Sequence, residues 1–100
     1  VFYNARYMTK GVQNEIPFDV QLLLWSLIEA LGNKMELDYL QVFKLETVEL
    51  HGQKLQSVEH HQEKPEYRQK RNFRVTNPIN MTVWAIDDGG YSTMLLPDEY

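Results

Sequence analysis

The chain reads as a two-layer α+β fold: one long helix packed on an antiparallel sheet of about five strands. Three observations predict this. A single stretch, Ile16 to Asn33, is long and periodic enough to form a helix. It is followed by shorter runs rich in β-branched and aromatic residues, punctuated by Gly, Asn and Pro. The length of 100 residues, 43% of them hydrophobic, suits one domain over residues 1–100 with one core.

The helix is bounded by recognisable signals. Pro17 fits the first turn, where a missing N–H costs nothing. Asp19 favours the positive end of the helix dipole. Gly32 and Asn33 are the residues best able to close the helix in a left-handed conformation. Successive residues turn by about 100°, so Val20, Leu23, Leu24, Leu27, Ile28 and Leu31 form one apolar stripe. Phe18, Leu22 and Trp25 form a second stripe to one side of it. A surface helix normally needs one apolar face, and this one has more. Either a loop or the C-terminal tail covers the second stripe, or another subunit does. A membrane span is not expected, because the apolar run has about 15 residues against the ~20 required and contains Asp19 and Glu29.

Residues 3–12 read as a short strand ended by Gly11, with Gln13, Asn14 and Glu15 as a link to the helix. Tyr39 to Glu46 reads as an interior strand with both faces covered, since its first half is apolar on both parities. Thr47 to Gln62 holds a hairpin arm turning at His51-Gly52-Gln53-Lys54. Leu55 and Val58 differ in parity there, which calls for a bulge or a change of face. Glu66 to Thr76 reads as a long, partly exposed strand with a basic outer face, or as an irregular basic segment. Tyr67, Phe73 and Val75 share one parity, and Arg68, Lys70 and Arg74 the other. Met81 to Asp87 and Tyr91 to Leu96 flank Asp87-Asp88-Gly89-Gly90. With Asp88-Gly89 as the two-residue loop, Ile86 opposes Tyr91, Trp84 opposes Thr93 and Thr82 opposes Leu95. Met81, Val83, Ala85, Ser92, Met94 and Leu96 would lie under the helix. Trp84, Ile86, Tyr91 and Leu95 would point away from it.

Composition limits the function classes. The absence of cysteine excludes disulfides and thiolate chemistry. No basic flank and apolar run open the chain, so no secretion signal is expected and the simplest location is the cytoplasm. A net charge of −4 opposes bulk attraction to nucleic acid. Lys64, Arg68, Lys70, Arg71 and Arg74 nonetheless crowd into residues 64–74 with one acid, Glu66, and form a candidate anion-binding segment. An edge-protecting strand is the plain reading of that run. Binding to an acidic protein surface or to a phosphate backbone is the functional one.

Catalytic signatures are absent. His60-His61 with Glu59 and Glu63 has metal-ligand residue types, but strand neighbours point to opposite faces. No zinc spacing or phosphate-binding glycine motif occurs. Asp87-Asp88 falls in a turn, where Asp is expected for backbone reasons, and Asp98-Glu99 falls at a frayed terminus. No catalytic, cofactor-binding or metal-binding residue is assigned.

The segments MTKGV with EIP, LDYLQVF, HHQEKPEY and VWAIDDGGYSTMLLPDEY carry a resemblance across nearly the whole chain. The sequence resembles a family of small bacterial proteins known as domain of unknown function 960. The resemblance implies a small cytosolic bacterial protein and supplies no activity, cofactor or catalytic residue.

The function expected is therefore a non-enzymatic protein–protein interaction domain that self-associates. Its candidate interface comprises Phe18, Leu22 and Trp25 on the helix, with Trp84, Ile86, Tyr91 and Leu95 on the last hairpin. The alternative is a nucleic-acid-associated regulator using the basic 64–74 segment. A third reading places carboxylates or His60 and His61 at an enzymatic seam between subunits. No cofactor and no membrane partner are expected.

Overall fold

The computed structural model describes residues 2–100. In chain order the elements are β1 (Ala5–Met8), α1 (Lys10–Glu15), α2 (Phe18–Gly32), β2 (Leu40–Leu50), β3 (Gln53–Gln62), β4 (Tyr67–Phe73), β5 (Met81–Asp87) and β6 (Tyr91–Leu95), followed by a single 3₁₀ turn, Pro97–Glu99. The strands form one six-stranded sheet in the order β1-β6-β5-β2-β3-β4. All pairings are antiparallel except β1 with β6, which is parallel. This corrects the expected fold class. The sheet is mixed and has six strands, regular structure is mostly sheet, and two short helices replace one long one. None of the helices is long and apolar enough to cross a membrane among the described residues.

The helix α1 is the largest departure from expectation, because residues 10–15 read as strand and link. It forms because Thr9 caps it. Thr9 is extended, and its hydroxyl oxygen accepts from Val12 N at 3.3 Å. One turn of helix then points Val12 into the core. The cap is reinforced from the far end of the chain. Thr9 Oγ1 donates to Glu99 Oε1 at 2.6 Å, and Glu99 also accepts from Gly11 N at 3.0 Å and Leu96 N at 2.8 Å. A Cβ on Gly11 would lie 2.5 Å from Glu99 Oε2, so glycine is what lets the carboxylate approach. Glu99 is thus a clasp rather than part of a frayed end. Thr9→Ala removes both roles of the hydroxyl and is expected to cost about 1 kcal/mol, in line with other N-cap losses. A urea melt of the variant against the parent measures it.

In α2 the first stripe behaves as expected. Val20, Leu24, Ile28 and Leu31 are buried, and Leu23 and Leu27 are half-buried. They pack on Phe43, Leu45, Val58, Val83, Ala85 and Met94 of the sheet's inner face, with Val12, Ile16, Phe2 and Leu37 closing the edges. Each fully buried side chain of this size contributes about 1.5–3 kcal/mol. Two expected caps are corrected. Pro17 lies just before the helix rather than in its first turn, and Asn33 ends it in a right-handed conformation with φ −79°. Gly32 has no positive φ either; its missing Cβ leaves room for the Tyr3 hydroxyl and Leu37.

Neither bulge nor face change is needed in β3. Register runs unbroken from Leu50↔Gln53 to Val42↔His61, so Leu55 lies on the open face and Val58 under the helix. The tight turn is made by His51 and Gly52, with φ of 51° and 79°, the positive pair a two-residue hairpin loop demands. The β5–β6 loop is displaced by one residue from expectation. Trp84 pairs with Leu95, Ile86 with Thr93 and Asp87 with Ser92, which places Gly89-Gly90 at the tip. The cause is Asp87, whose Oδ1 accepts from Gly89 N at 2.8 Å, while Gly89 takes φ +96°. A slip of two in register preserves parity, so Trp84, Ile86, Tyr91 and Leu95 still share the face away from the helix.

The inner face also buries a row of amides. Gln56 accepts from Ile79 N and donates to Glu46 O and Ile79 O, pinning the 74–80 connection. Gln62 accepts from Asp38 N at 2.9 Å and donates to Glu36 O at 3.0 Å and Pro65 O at 2.8 Å, tying two loops to β3. Both are buried and well partnered, as buried polar groups must be. Among the described residues, neither helix covers the opposite face of the sheet. This corrects the expectation that β2 is covered on both sides: Phe43 and Leu45 are buried, whereas Leu40 and Val42 are only half-buried.

Candidate interaction surface

The second stripe of α2 stays in water. Phe18 and Leu22 are 66% and 53% exposed, and Trp25 is half-buried. Nothing from the C-terminal tail reaches them, since Glu99 is held at α1 and Tyr100 packs edge-on to Trp84 on the other face, with ring centroids 5.8 Å apart. The stripe instead borders β1. Arg6, Tyr7, Met8, Phe18, Gln21, Leu22 and Trp25 line one shallow groove of about 130 Å³. Arg6 lies across it, 4.8 Å over the Trp25 ring and 2.8 Å from Glu29 Oε2.

The strand β1 is an edge, and all four of its residues are exposed. Tyr7 is 57% and Met8 45% exposed. Their side chains leave opposite faces of the sheet: Met8 joins the groove, and Tyr7 packs edge-on to Tyr91 at 5.6 Å. Tyr91 is itself 47% exposed. The apolar surface therefore wraps around one sheet edge from the helix flank to the open face.

This arrangement sorts the seven candidate interface residues. Phe18, Leu22 and Trp25 share the groove, and Tyr91 joins the same surface through Tyr7. Trp84 is half-buried beneath Tyr100, while Ile86 and Leu95 are buried among their strand neighbours. Arg6, Tyr7 and Met8 were not singled out from sequence. The available signal was a strand with two large apolar residues and one charge near its end. That strand's place at the sheet edge is set by pairing with β6, far away in the chain.

The other edge has the opposite character. Along β4, Arg68 and Lys70 share the open face, Arg71 faces the helix side, and Tyr67 and Phe73 pack against the core. Arg68 lies 3.2 Å from Glu59, and Lys70 lies 3.8 Å from Glu46. Lys64 sits in the preceding turn and Arg74 beyond the strand. The five cations are thus spread over two faces and a turn, with two of them facing carboxylates.

The residues with catalytic chemistry are occupied structurally. Asp87 accepts from Phe2 N at 2.7 Å, Asn4 Nδ2 at 3.0 Å and Gly89 N. Burial opposes its charge, but these donors outweigh burial and hold its carboxyl below the usual range. The Thr9 hydroxyl, then the Leu96 amide, does the same for Glu99. His60 is buried, stacked on Phe43 at 4.5 Å, whereas His61 faces the open side. Burial, with His61 adding to it, lowers the His60 imidazole to about 4. Burial and then Arg68 lower His61 as well. Among the described residues, no three His, Cys, Asp or Glu side chains converge as a metal ion requires. The cavity beside His60, bordered by Lys34, Tyr67 and Arg71, has about 20 Å³, enough for one water.

Comparison with known proteins gives a family and a fold. The family model described as "Staphylococcal protein of unknown function (DUF960)" matches residues 5–99. The chain belongs to this family. A solved structure, "Crystal structure of the protein of unknown function from Enterococcus faecalis", superposes with a TM-score of 0.80 at 25% identity, covering 97% of this chain and 91% of that one. No curated protein matches. For this DUF960 member, then, the surface itself is the basis for a functional reading.

Proposed function

We propose that this DUF960 protein is a non-enzymatic interaction domain whose partner is a second copy of itself, bound at the β1 edge and the adjoining flank of α2. The observation that carries this reading is the contrast between the two sheet edges. A free edge is an open template for pairing, and proteins blunt it with charge. Here β4 carries Arg68, Lys70 and Arg71. The β1 edge carries Tyr7, Met8 and one arginine already turned onto Trp25 and Glu29, beside exposed Phe18 and Leu22. Exposed aromatic and aliphatic residues grouped in this way mark contact sites. The structural employment of Asp87, Glu99 and His60 supports the non-enzymatic half of the reading.

Sedimentation equilibrium tests it. The protein is expected to behave as a dimer at about 100 µM, the range of a modest homodimer. Leu22→Arg is expected to shift it to monomer without loss of secondary structure, because Leu22 is exposed. A wild-type monomer at that concentration would overturn the proposal.

A further inference from the structure

Resting on that reading, we infer that two copies join β1 to β1 in antiparallel fashion with Tyr7 on the two-fold axis, fusing their sheets into one of twelve strands.

The backbone of β1 sets which residues can pair. Thr9 N donates to Met94 O at 3.1 Å, and Met8 is level with Met94. In a strand, alternate residues turn their N–H and C=O to opposite sides. Ala5, Tyr7 and Thr9 therefore face β6, and Arg6 and Met8 hold their backbone groups out to the free edge. An antiparallel partner must bond to those two residues.

Three two-fold registers are available. Pairing Arg6 with Arg6 sets like charges opposite each other, which destabilises a sheet. Pairing Met8 with Met8 brings Lys10 at the start of α1 level with Arg6 and leaves Ala5 unpaired. Pairing Arg6 with Met8 of the second copy uses the whole strand. Both Arg6–Met8 pairs then exchange backbone hydrogen bonds, and Tyr7 faces Tyr7 in the close, non-bonded position, with Cα atoms about 4.5 Å apart.

The same axis accounts for both exposed surfaces. It stands perpendicular to the fused sheet, so the two α2 helices fall on one side, with Phe18, Leu22 and Trp25 of each copy turned toward the seam. The Tyr7–Tyr91 pairs meet on the other side. The exposed parts of Tyr7, Met8, Phe18, Leu22 and Tyr91 put on the order of 500 Å² per copy within reach before Arg6, Gln21 and Trp25 are added, against about 800 Å² per partner in a stable interface. A short peptide strand could satisfy the edge but would leave the helix flank uncovered, and for this reason a second copy is favoured.

The chain contains no cysteine, so introduced thiols report on one position each. In Tyr7→Cys the paired residues fall within disulfide range. This variant is expected to form a covalent dimer in a glutathione redox buffer at least about tenfold faster than Asn72→Cys on the β4 edge, because the held pair has a high effective concentration. Mixing Arg6→Cys with Met8→Cys chains is expected to yield the mixed disulfide over either symmetric one. Met8→Pro, which removes an outward N–H and spares the bonds to β6, is expected to abolish dimerisation with the circular dichroism unchanged. If the wild type sediments as a dimer but neither cysteine experiment exceeds the Asn72→Cys control, this pairing is wrong and self-association stands. A wild-type monomer would remove both.

Discussion

Replacing Gln62 with leucine is expected to destabilise the protein by about 3 kcal/mol, the cost of leaving several buried polar groups without partners. Leucine is similar in volume though one bond shorter, so the larger part of the loss is polar rather than packing. Gln62 Oε1 accepts from Asp38 N and from Gln41 Nε2 at 2.7 Å, and its Nε2 donates to Glu36 O, Pro65 O and, at 3.6 Å, the Met35 sulfur. One amide therefore fastens both the 33–39 connection and the 63–66 turn to β3. Leucine can meet none of these demands, and water has little access to a residue only 2% exposed. For a domain of this size the melting temperature should fall by about 15 °C. A calorimetric scan at neutral pH measures it. A change under about 1 kcal/mol would mean that the loops are held elsewhere.

The second large effect is a loss of stability with falling pH that originates at His60. Its Nε2 lies 2.6 Å from Gln41 Oε1. Gln41 Nε2 donates to Asp38 O, which can only accept. The amide orientation is thereby set, and the proton of neutral His60 must sit on Nε2. A second proton would place a charge beside the Phe43 ring, and burial holds the pKa to about 4, against 6.5 for an ordinary histidine. Above pH 7 both folded and unfolded chains carry neutral His60, and its full contribution is present. Between 6.5 and 4 the unfolded chain takes up a proton that the folded chain refuses, so unfolding becomes easier by about 3 kcal/mol across that window. Below 4 both are charged and the loss levels off. Asp87 and Glu99 act lower, because their carboxyls are held below the usual range and release their contribution only as they protonate. Urea melts from pH 7.5 to 4.5 should show the decline. His60 ring protons followed by NMR should titrate near 4; a midpoint near 6.5 would show that the ring is not sealed.

The helix α2 was legible because its signal is local. Leucine, valine and isoleucine recur every three to four residues, and Val20, Leu24, Ile28 and Leu31 go into the core as that period dictates. Strand parity was legible for the same reason: Val83, Ala85 and Met94 lie under the helix, and Trp84 and Tyr91 on the other side. The architecture built from those pieces was wrong at the N-terminus. A helix of six residues shows barely more than one period, and α1 depends on a carboxylate 88 residues further along the chain. No local pattern announces that Ala5–Met8 will lie parallel to Tyr91–Leu95. The glutamines at 41, 56 and 62 share parity with buried residues, but alternation alone does not distinguish a buried amide from a solvated one.

What the sequence determined by itself is therefore which residues share a side: the two stripes of α2, the alternating sets of the strands, and the basic pair Arg68 and Lys70. These follow from the fixed periods of helix and strand, which each segment carries within itself. The tertiary structure alone decided which of those sides meet water. Ile86 and Leu95 are buried while Phe18 and Leu22 are exposed, although all four are equally apolar as letters. Exposure depends on what comes to rest alongside, and that is set by contacts between segments far apart in the chain: β1 on β6, Glu99 on α1, Tyr100 on Trp84.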